Sequence, residues 1–342
     1  LIMIDILNIN FTNDRILCYY KGNNIIKHSR EGESMEFMKY AYFKGEVTEF
    51  EKAQVSIAAH SLQYGTLAFG GVRGYYRNNQ VAVFRLKDHY TRLMTASKML
   101  GFEYFLTWEE FRNIMEELIK KNDIKEDFYI RPFVYCPTPR IAPKKPGLDF
   151  ELAIYMLPMA DYGRTDGGIR FMTSTYRKYN DSAIPTKAKA GGAYINSFLA
   201  TSDAIRNGYD EALMLDDSGN VVEASVANLL VVYRDRLLVP DTGSAALEGI
   251  TIRSVVELLE YNGYNVERER IDRSMIFTAE ELLVTGTAMK VTYAESLDGR
   301  PIGPIDYSEK AMPGKYCKLL KEEFEKVINN QHELSKEWLE IF

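Results

Sequence analysis

Cysteine is scarce in this chain of 342 residues. Cys18, Cys136 and Cys317 are odd in number and far apart, which excludes a disulfide framework or a cysteine-built metal site and fits a reduced, cytoplasmic setting. Histidine is almost as rare, at four residues, and no His-Glu-x-x-His arrangement occurs, so a histidine-bound metal enzyme is not expected. Positive charge is in deficit. The formal net charge is -6 and there is no basic stripe, which argues against general affinity for nucleic acid. No apolar run is long enough to span a membrane, and no signal-peptide pattern is present. Internal repeats and low-complexity tracts are also missing.

What remains is an ordinary globular composition. Apolar residues make up 46% and aromatic residues 12% of the chain, enough for buried cores, and the length suggests two domains. Residues 1–34 stand apart, rich in Ile and Asn and without clear periodicity. Residue 1 is leucine, and Arg30-Glu31-Gly32-Glu33-Ser34 can be encoded by a purine-rich stretch resembling a bacterial ribosome-binding site just before Met35. The expectation is that translation starts at Met35 or Met38 and that 1–34 is a non-native or disordered extension.

From there strands and helices mix. Residues 39–57 read as a hairpin turning at Lys44-Gly45, and 81–86 as a short strand ending in Arg85. The helix that follows carries Tyr90, Leu93, Ala96 and Leu100 on one face and stops at Gly101. Thr107 and Glu110 form a capping box for a helix with the stripe Phe111, Ile114, Met115 and Leu118. Residues 128–133 and 150–157 read as strands. The polar stretch 161–168 is the interdomain linker, dividing 35–160 from 169–342. In the second half, strands are expected at 169–175, 211–215, 221–223 and 228–233, the last returning through Leu237-Leu238-Val239. A helix is expected after Gly192 and another over 250–262. Thr278 to Glu281 offers a further capping box, before a strand ending in Thr285-Gly286-Thr287-Ala288. So many hairpins predict an α+β fold with partly antiparallel sheets in two domains.

The stretch Ala183-Ile184-Pro185-Thr186-Lys187-Ala188-Lys189-Ala190-Gly191-Gly192-Ala193-Tyr194 places two lysines among residues too small to shield them. A partly desolvated lysine is a Schiff-base nucleophile. In an extended segment both lysines would share one face, and only one is expected in the site. Alone, Lys-Ala-Lys would be a solvated basic loop. Four further stretches change that balance. Leu247-Glu248-Gly249-Ile250-Thr251 opens a helix whose free amides and Thr251 hydroxyl make a phosphate cradle. Thr285-Gly286-Thr287-Ala288 is a second turn of amides and hydroxyls. Glu223, at a strand end beside small residues, can hold a pyridinium nitrogen protonated, and taken alone reads as an ordinary surface glutamate. Arg85 and Arg131 lie in apolar strands, where a guanidinium needs an anion, either a ligand or an internal salt bridge.

Taken in order, these motifs resemble one family. They are Gln63-Tyr64-Gly65-Thr66 with Phe69, Gly71 and Arg73; Phe84-Arg85; Tyr129-Ile130-Arg131-Pro132; Ile184-Pro185 through Lys189 and Gly192 to Tyr194; Glu223 with Asn228-Leu229; Gly249-Ile250-Thr251; and Gly286-Thr287-Ala288. The same order occurs in branched-chain aminotransferases, pyridoxal-phosphate enzymes of class IV and fold type IV, and the resemblance covers roughly residues 39–342. It implies transamination between Leu, Ile or Val and 2-oxoglutarate by a cytoplasmic homodimer. Lys189 resembles the lysine that forms the internal aldimine and shuttles the substrate proton. Tyr194 matches the tyrosine on the cofactor's ring oxygen, Glu223 the carboxylate on its ring nitrogen, and Leu247 the leucine on its ring face. Arg85, Ile250, Thr251 and Thr287 match phosphate-binding positions. Tyr64, Phe69, Tyr129 and Arg131 match the substrate pocket, with Arg131 receiving glutamate's side-chain carboxylate and the amides of Thr287 and Ala288 the α-carboxylate. Gly70, Ala227, Ile252, Lys290 and Tyr293 depart from the family pattern. Other readings are a fold-type-IV aminotransferase for R-amines or D-amino acids, an aminodeoxychorismate-lyase-like enzyme, and a protein that binds the cofactor without turnover.

Overall fold

The computed structural model describes residues 19–21, 24–26, 36–159, 167–241, 243, 245–303 and 313–342. Most of the expected 1–34 extension, and residues 161–166 of the expected linker, lie outside the described residues. Tyr19–Lys21 (β1) and Asn24–Ile26 (β2) form a two-stranded hairpin in a unit of their own.

Residues 37–342 form one compact unit. Its first half runs β3 (Tyr40–Phe43), β4 (Glu46–Glu49), α1 (His60–Tyr64), β5 (Leu67–Phe69), β6 (Val72–Arg77), β7 (Gln80–Phe84), α2 (Leu86–Met99), α3 (Trp108–Asn122), β8 (Phe128–Tyr135) and β9 (Glu151–Pro158). The second half runs β10 (Ile169–Arg177), α4 (Tyr194–Arg206), β11 (Glu211–Leu215), β12 (Val221–Ala224), β13 (Asn228–Tyr233), β14 (Arg236–Pro240), α5 (Ile250–Tyr261), β15 (Val266–Glu269), α6 (Arg273–Ile276), β16 (Glu281–Gly286), β17 (Lys290–Leu297), β18 (Arg300–Pro301), α7 (Lys315–Ile328), α8 (Ser335–Trp338) and β19 (Leu339–Ile341). The expected α+β fold is what forms.

The first sheet has the order β19-β7-β6-β8-β9-β3-β4, with β5 added on β8; the second has β12-β11-β10-β17-β16-β13-β14-β15, with β18 on β17. Tight turns set much of the register. Lys44-Gly45, Asn78-Asn79, Arg234-Asp235 and Asp298-Gly299 each have positive φ at both positions, the left-handed pair that matches the twist of a two-residue hairpin. The capping box of α3 is present: Thr107 Oγ1 accepts from the Glu110 amide, and Glu110 Oε2 accepts from the Thr107 amide at 2.7 Å.

The second expected box is not one. No helix begins at Thr278; α6 ends just before it and Glu281 opens β16. The Glu281 carboxylate instead accepts from the Tyr316 and Cys317 amides at 3.0 and 3.1 Å, so it satisfies the open N-terminus of the distant α7.

One core packs α2 and α3 on the first sheet and another fills the second sheet. A third is shared: Tyr75, Ala82 and Phe84 from the first half pack with Leu230, Val255, Leu258, Leu320, Phe324 and Trp338 from the second.

Candidate active site

Lys189 is seated by close packing. Residues 185–190 turn rather than extend, with the Ala188 amide on Pro185 O at 3.1 Å and the Ala190 amide on Ala188 O at 2.9 Å. The segment is clipped to β5 through an Ala68–Ala190 bridge and a 3.0 Å bond from the Phe69 amide to Lys189 O. The glycines allow this approach. A Cβ on Gly191 would lie 2.6 Å from the Leu67 side chain, and one on Gly65, at φ +65°, would lie 2.5 Å from Gly192 Cα. The two lysines then part: Lys187 Nζ donates to Ala246 O at 2.8 Å, and Lys189 Nζ to Tyr194 Oη at 2.5 Å. Burial, then the Arg92 guanidinium, pull the Lys189 pKa well below that of an ordinary lysine. Such an amine is held toward its neutral, nucleophilic form. Burial, followed by Glu223, raises the Tyr194 pKa, so this phenol keeps its proton.

Glu223 is on the buried strand β12, opposite Met214 of β11. Its Oε2 accepts from Asn228 Nδ2 at 3.0 Å and from the Leu247 amide at 3.2 Å. Asn228 Nδ2 also donates to Leu247 O at 2.9 Å, tying the stretch before α5 to the carboxylate. Gly249 is required beside it, because a Cβ there would overlap Asn228 Oδ1. Lys178 Nζ sits 2.6 Å from Glu223 Oε1. Burial is the largest single influence on the Lys178 pKa and would lower it, but the Glu223 carboxylate and Tyr179 together outweigh it and the net shift is upward. Sequence reasoning missed Lys178 altogether, since nothing local marks it as Glu223's partner.

An anion corner lies nearby. Gly249 precedes α5 without a side-chain cap, leaving the first amides at the buried Ile250 and Thr251 unmatched by a capping side chain. Asn228 pairs with Thr285 across β13 and β16, which brings the 287–289 hairpin turn, with Thr287 and Ala288, to the same end of the sheet. The buried Thr285 hydroxyl has no hydrogen-bond partner. The guanidinium of this corner is Arg92 on α2, with Nη1 3.4 Å from Glu248 O, and it is the strongest charged neighbour of the Lys189 amine.

Arg85 does not belong there. It occupies the left-handed N-cap of α2 at φ 47°. Its guanidinium pairs with Asp88 at 3.1 Å and with Glu257 of α5, and stacks 3.9 Å over the Trp338 ring. Two carboxylates already take its charge, so the expected phosphate role is corrected: Arg85 is an internal tie. Asp88, three residues on, is the sequence signal that marks it as paired.

The substrate side is aromatic. Phe69 packs edge-on against Tyr194 at 4.8 Å. The Arg131 guanidinium lies 5.0 Å from the Phe69 ring and 5.2 Å from the Tyr129 ring, and its Nη2 donates to Tyr129 Oη at 3.1 Å. Its Nε is buried without a partner, and no carboxylate pairs with it among the described residues. Gly71 leaves room for the Tyr129 hydroxyl, which a Cβ would overlap. Tyr64 is the exception: it is 38% exposed, packs on His60 at 4.6 Å, and shares no hydrogen bond or ring contact with Lys189, Tyr194 or Arg131 among the described residues.

The family departures have local uses. Gly70 lets the connection between β5 and β6 lie against Pro132, whose Cγ would be 3.0 Å from a Cβ. Ala227 and Ile252 fill cores, and Lys290 pairs with Glu325 at 3.0 Å. Among the described residues no helix is long and apolar enough to cross a membrane, and no His, Cys, Asp or Glu cluster could hold a metal ion.

The family described as "Amino-transferase class IV" matches residues 68–297. The chain belongs to that family. A probable branched-chain-amino-acid aminotransferase of Aquifex aeolicus is 35% identical over 305 residues, 88% of this chain and 96% of the relative. The branched-chain-amino-acid aminotransferase of Escherichia coli K12 is 32% identical over 268 residues, 77% and 86% of the two chains. Among solved structures, the branched-chain aminotransferase of Thermoproteus uzoniensis with norvaline has a TM-score of 0.83 at 32% identity, covering 90% of this chain and 99% of its own. The branched-chain amino acid aminotransferase of Thermobaculum terrenum in its PLP-form has a TM-score of 0.83 at 28% identity, covering 90% and 99%. The protein is thus an aminotransferase of fold type IV, and Lys189, Tyr194, Glu223, Arg92 and Arg131 are the groups this aminotransferase gathers at one place.

Proposed function

We propose that this aminotransferase uses pyridoxal 5'-phosphate to move an amino group between Leu, Ile or Val and 2-oxoglutarate, in two half-reactions of ping-pong type. The residues present fit that cofactor. A neutral-leaning amine, a phenol hydrogen-bonded to it, a buried carboxylate, and an anion corner with an unmatched buried hydroxyl are the donor set that pyridoxal phosphate needs. When bound, the cofactor supplies an electron sink for the substrate's Cα–H bond. Lys189 would hold the cofactor through its amine and would carry the substrate proton. Glu223 would hold the ring nitrogen, Tyr194 the ring oxygen, and Leu247 would lie against the ring. Arg92, Ile250, Thr251 and Thr287 hold the phosphate. We read 35–160 and 169–342 as two lobes with the site at their seam, where the Lys189 segment is clipped to β5.

We further read the working form as a cytoplasmic homodimer. Cys136 and Cys317 are buried free thiols, as suits a reducing compartment. Ile195 and Phe198 of α4 are 61% and 62% exposed, and Leu62 of α1 is 64% exposed. The Gly65–Gly192 contact brings the C-terminal end of α1 against the residues that lead into α4, beside the exposed Tyr64. An apolar face of this kind suits a second copy.

The observation that carries the substrate assignment is Arg131, a guanidinium with a buried unpartnered nitrogen among aromatic rings next to the Lys189 site. Phe69, Tyr129 and Tyr194 offer an apolar branched chain its surface, and Arg131 offers a second carboxylate a charge-assisted contact. Arg131→Ala is therefore expected to lower kcat/KM for glutamate and 2-oxoglutarate by about 1.5–3 kcal/mol while sparing leucine, with the half-reactions measured separately. Equal losses for both substrates would give Arg131 to the shared α-carboxylate or to structure.

A further inference from the structure

Behind Glu223 stands a cation with no role so far. The Lys178 amide is fixed to Leu215 O at 2.9 Å, on the strand that pairs with Glu223's own. Its ammonium is 2.6 Å from Glu223 Oε1, and both side chains are only 6% exposed. The ammonium also lies 4.7 Å over the Tyr179 ring. The two carboxylate oxygens are thus served unequally: Oε2 meets two neutral donors, from Asn228 and Leu247, and Oε1 meets a full positive charge.

We propose that Lys178 is a positioning residue that keeps the proton shared between Glu223 and the cofactor's ring nitrogen on the nitrogen. The inference rests on the pyridoxal-phosphate reading of the site. A proton on Glu223 would erase the carboxylate's charge and leave a buried ammonium without its counter-ion, which is costly in a site this enclosed. A proton on the ring nitrogen would leave the buried Lys178–Glu223 pair intact. The other charged or titratable groups facing this corner are Tyr179, Tyr194 and the Lys189 amine, which Lys178 repels. None of them supplies a second cation to Glu223 Oε1. Lys178 acts through Glu223 and needs no contact with substrate.

The test uses the holoenzyme loaded with pyridoxal phosphate labelled with nitrogen-15 in the ring, and reads the ring-nitrogen chemical shift. Wild type and Lys178→Arg are expected to show a protonated ring, and Lys178→Met a shift toward unprotonated pyridine. A protonated ring in Lys178→Met overturns the inference and leaves the proposed function standing. Failure of wild type to take up the cofactor on Lys189 counts instead against the proposed function. If Lys178→Met does not retain the cofactor, the apoprotein decides whether the pair is coupled. Lys178→Met should then lower Tm, and adding Glu223→Gln should recover part of that loss by removing the orphaned carboxylate. No recovery overturns the pairing on which the inference depends.

Discussion

Lys187 and Lys189 are chemically identical in the sequence and unlike in the fold, and the difference is measurable without catalysis. The Lys189 pKa is lowered by burial, so the unfolded chain binds that proton more readily than the folded one. The folded state carries this penalty below the ordinary lysine value of 10.5 and sheds it as pH rises toward that value. Cofactor-free Lys189→Met should be more stable than wild type at pH 7, by roughly 1–3 kcal/mol, and its advantage should fade as the solution is made alkaline. A gap independent of pH in denaturant titrations would mean that the amine is as well solvated folded as unfolded. Arg85 and Arg92 should separate in the same experiments. Arg85→Ala is expected to cost about 1–3 kcal/mol of apoprotein stability, discounted because Asp88 and Glu257 are partly exposed. Arg92→Ala should leave that stability nearly unchanged and weaken cofactor binding tenfold or more, about 1.4 kcal/mol. The reverse pattern would restore Arg85 to the phosphate. Lys189, Tyr194, Glu223 and Arg131 each sit in a compact motif, which is what marks them as candidates in the sequence. Arg92 is not so marked, since it belongs to the interior of a helix, and Lys178 finds its partner only through the pairing of β11 with β12.

At the scale of elements, reading the sequence worked where a signal is satisfied locally and failed where it is satisfied at a distance. The turns at Lys44-Gly45 and Arg234-Asp235 and the box at Thr107 depend on neighbouring residues alone. Thr278 to Glu281 shows the same spacing, but its glutamate serves α7. The small residues around Lys189 suggested open approach to the amine, and in the fold they also let backbones touch. A paired substitution tests this division. Thr107→Ala should cost about 1 kcal/mol of stability and leave turnover intact. Gly249→Ala should displace Asn228, loosen Glu223 and weaken cofactor binding. Intact cofactor affinity in Gly249→Ala would show that this loop tolerates rearrangement.

For the whole molecule, the apolar face on α1 and α4 is the feature that composition alone hides, because Ile195, Phe198 and Leu199 scan as an ordinary core stripe. The double substitution Ile195→Asp, Phe198→Asp should give a folded monomer by light scattering, with circular dichroism near that of the parent. A dimer that survives both charges would place the interface elsewhere. The shared core around Phe84, Leu258, Phe324 and Trp338 likewise argues that the 37–342 unit unfolds in one transition, although its two sheets draw their strands from separate halves of the sequence.

That arrangement has a consequence for synthesis on the ribosome. Strand β19 completes the edge of the first sheet by pairing Leu339, Glu340 and Ile341 with Phe84, Val83 and Ala82. At about 5–20 residues per second, the partner is translated on the order of 10–50 s after β7. During that interval Ala82, Phe84 and the donors and acceptors of β7 stand uncovered as a sticky edge. A nascent chain stalled before residue 339 should therefore hold an occluding chaperone, and let it go once Trp338 and the strand behind it emerge.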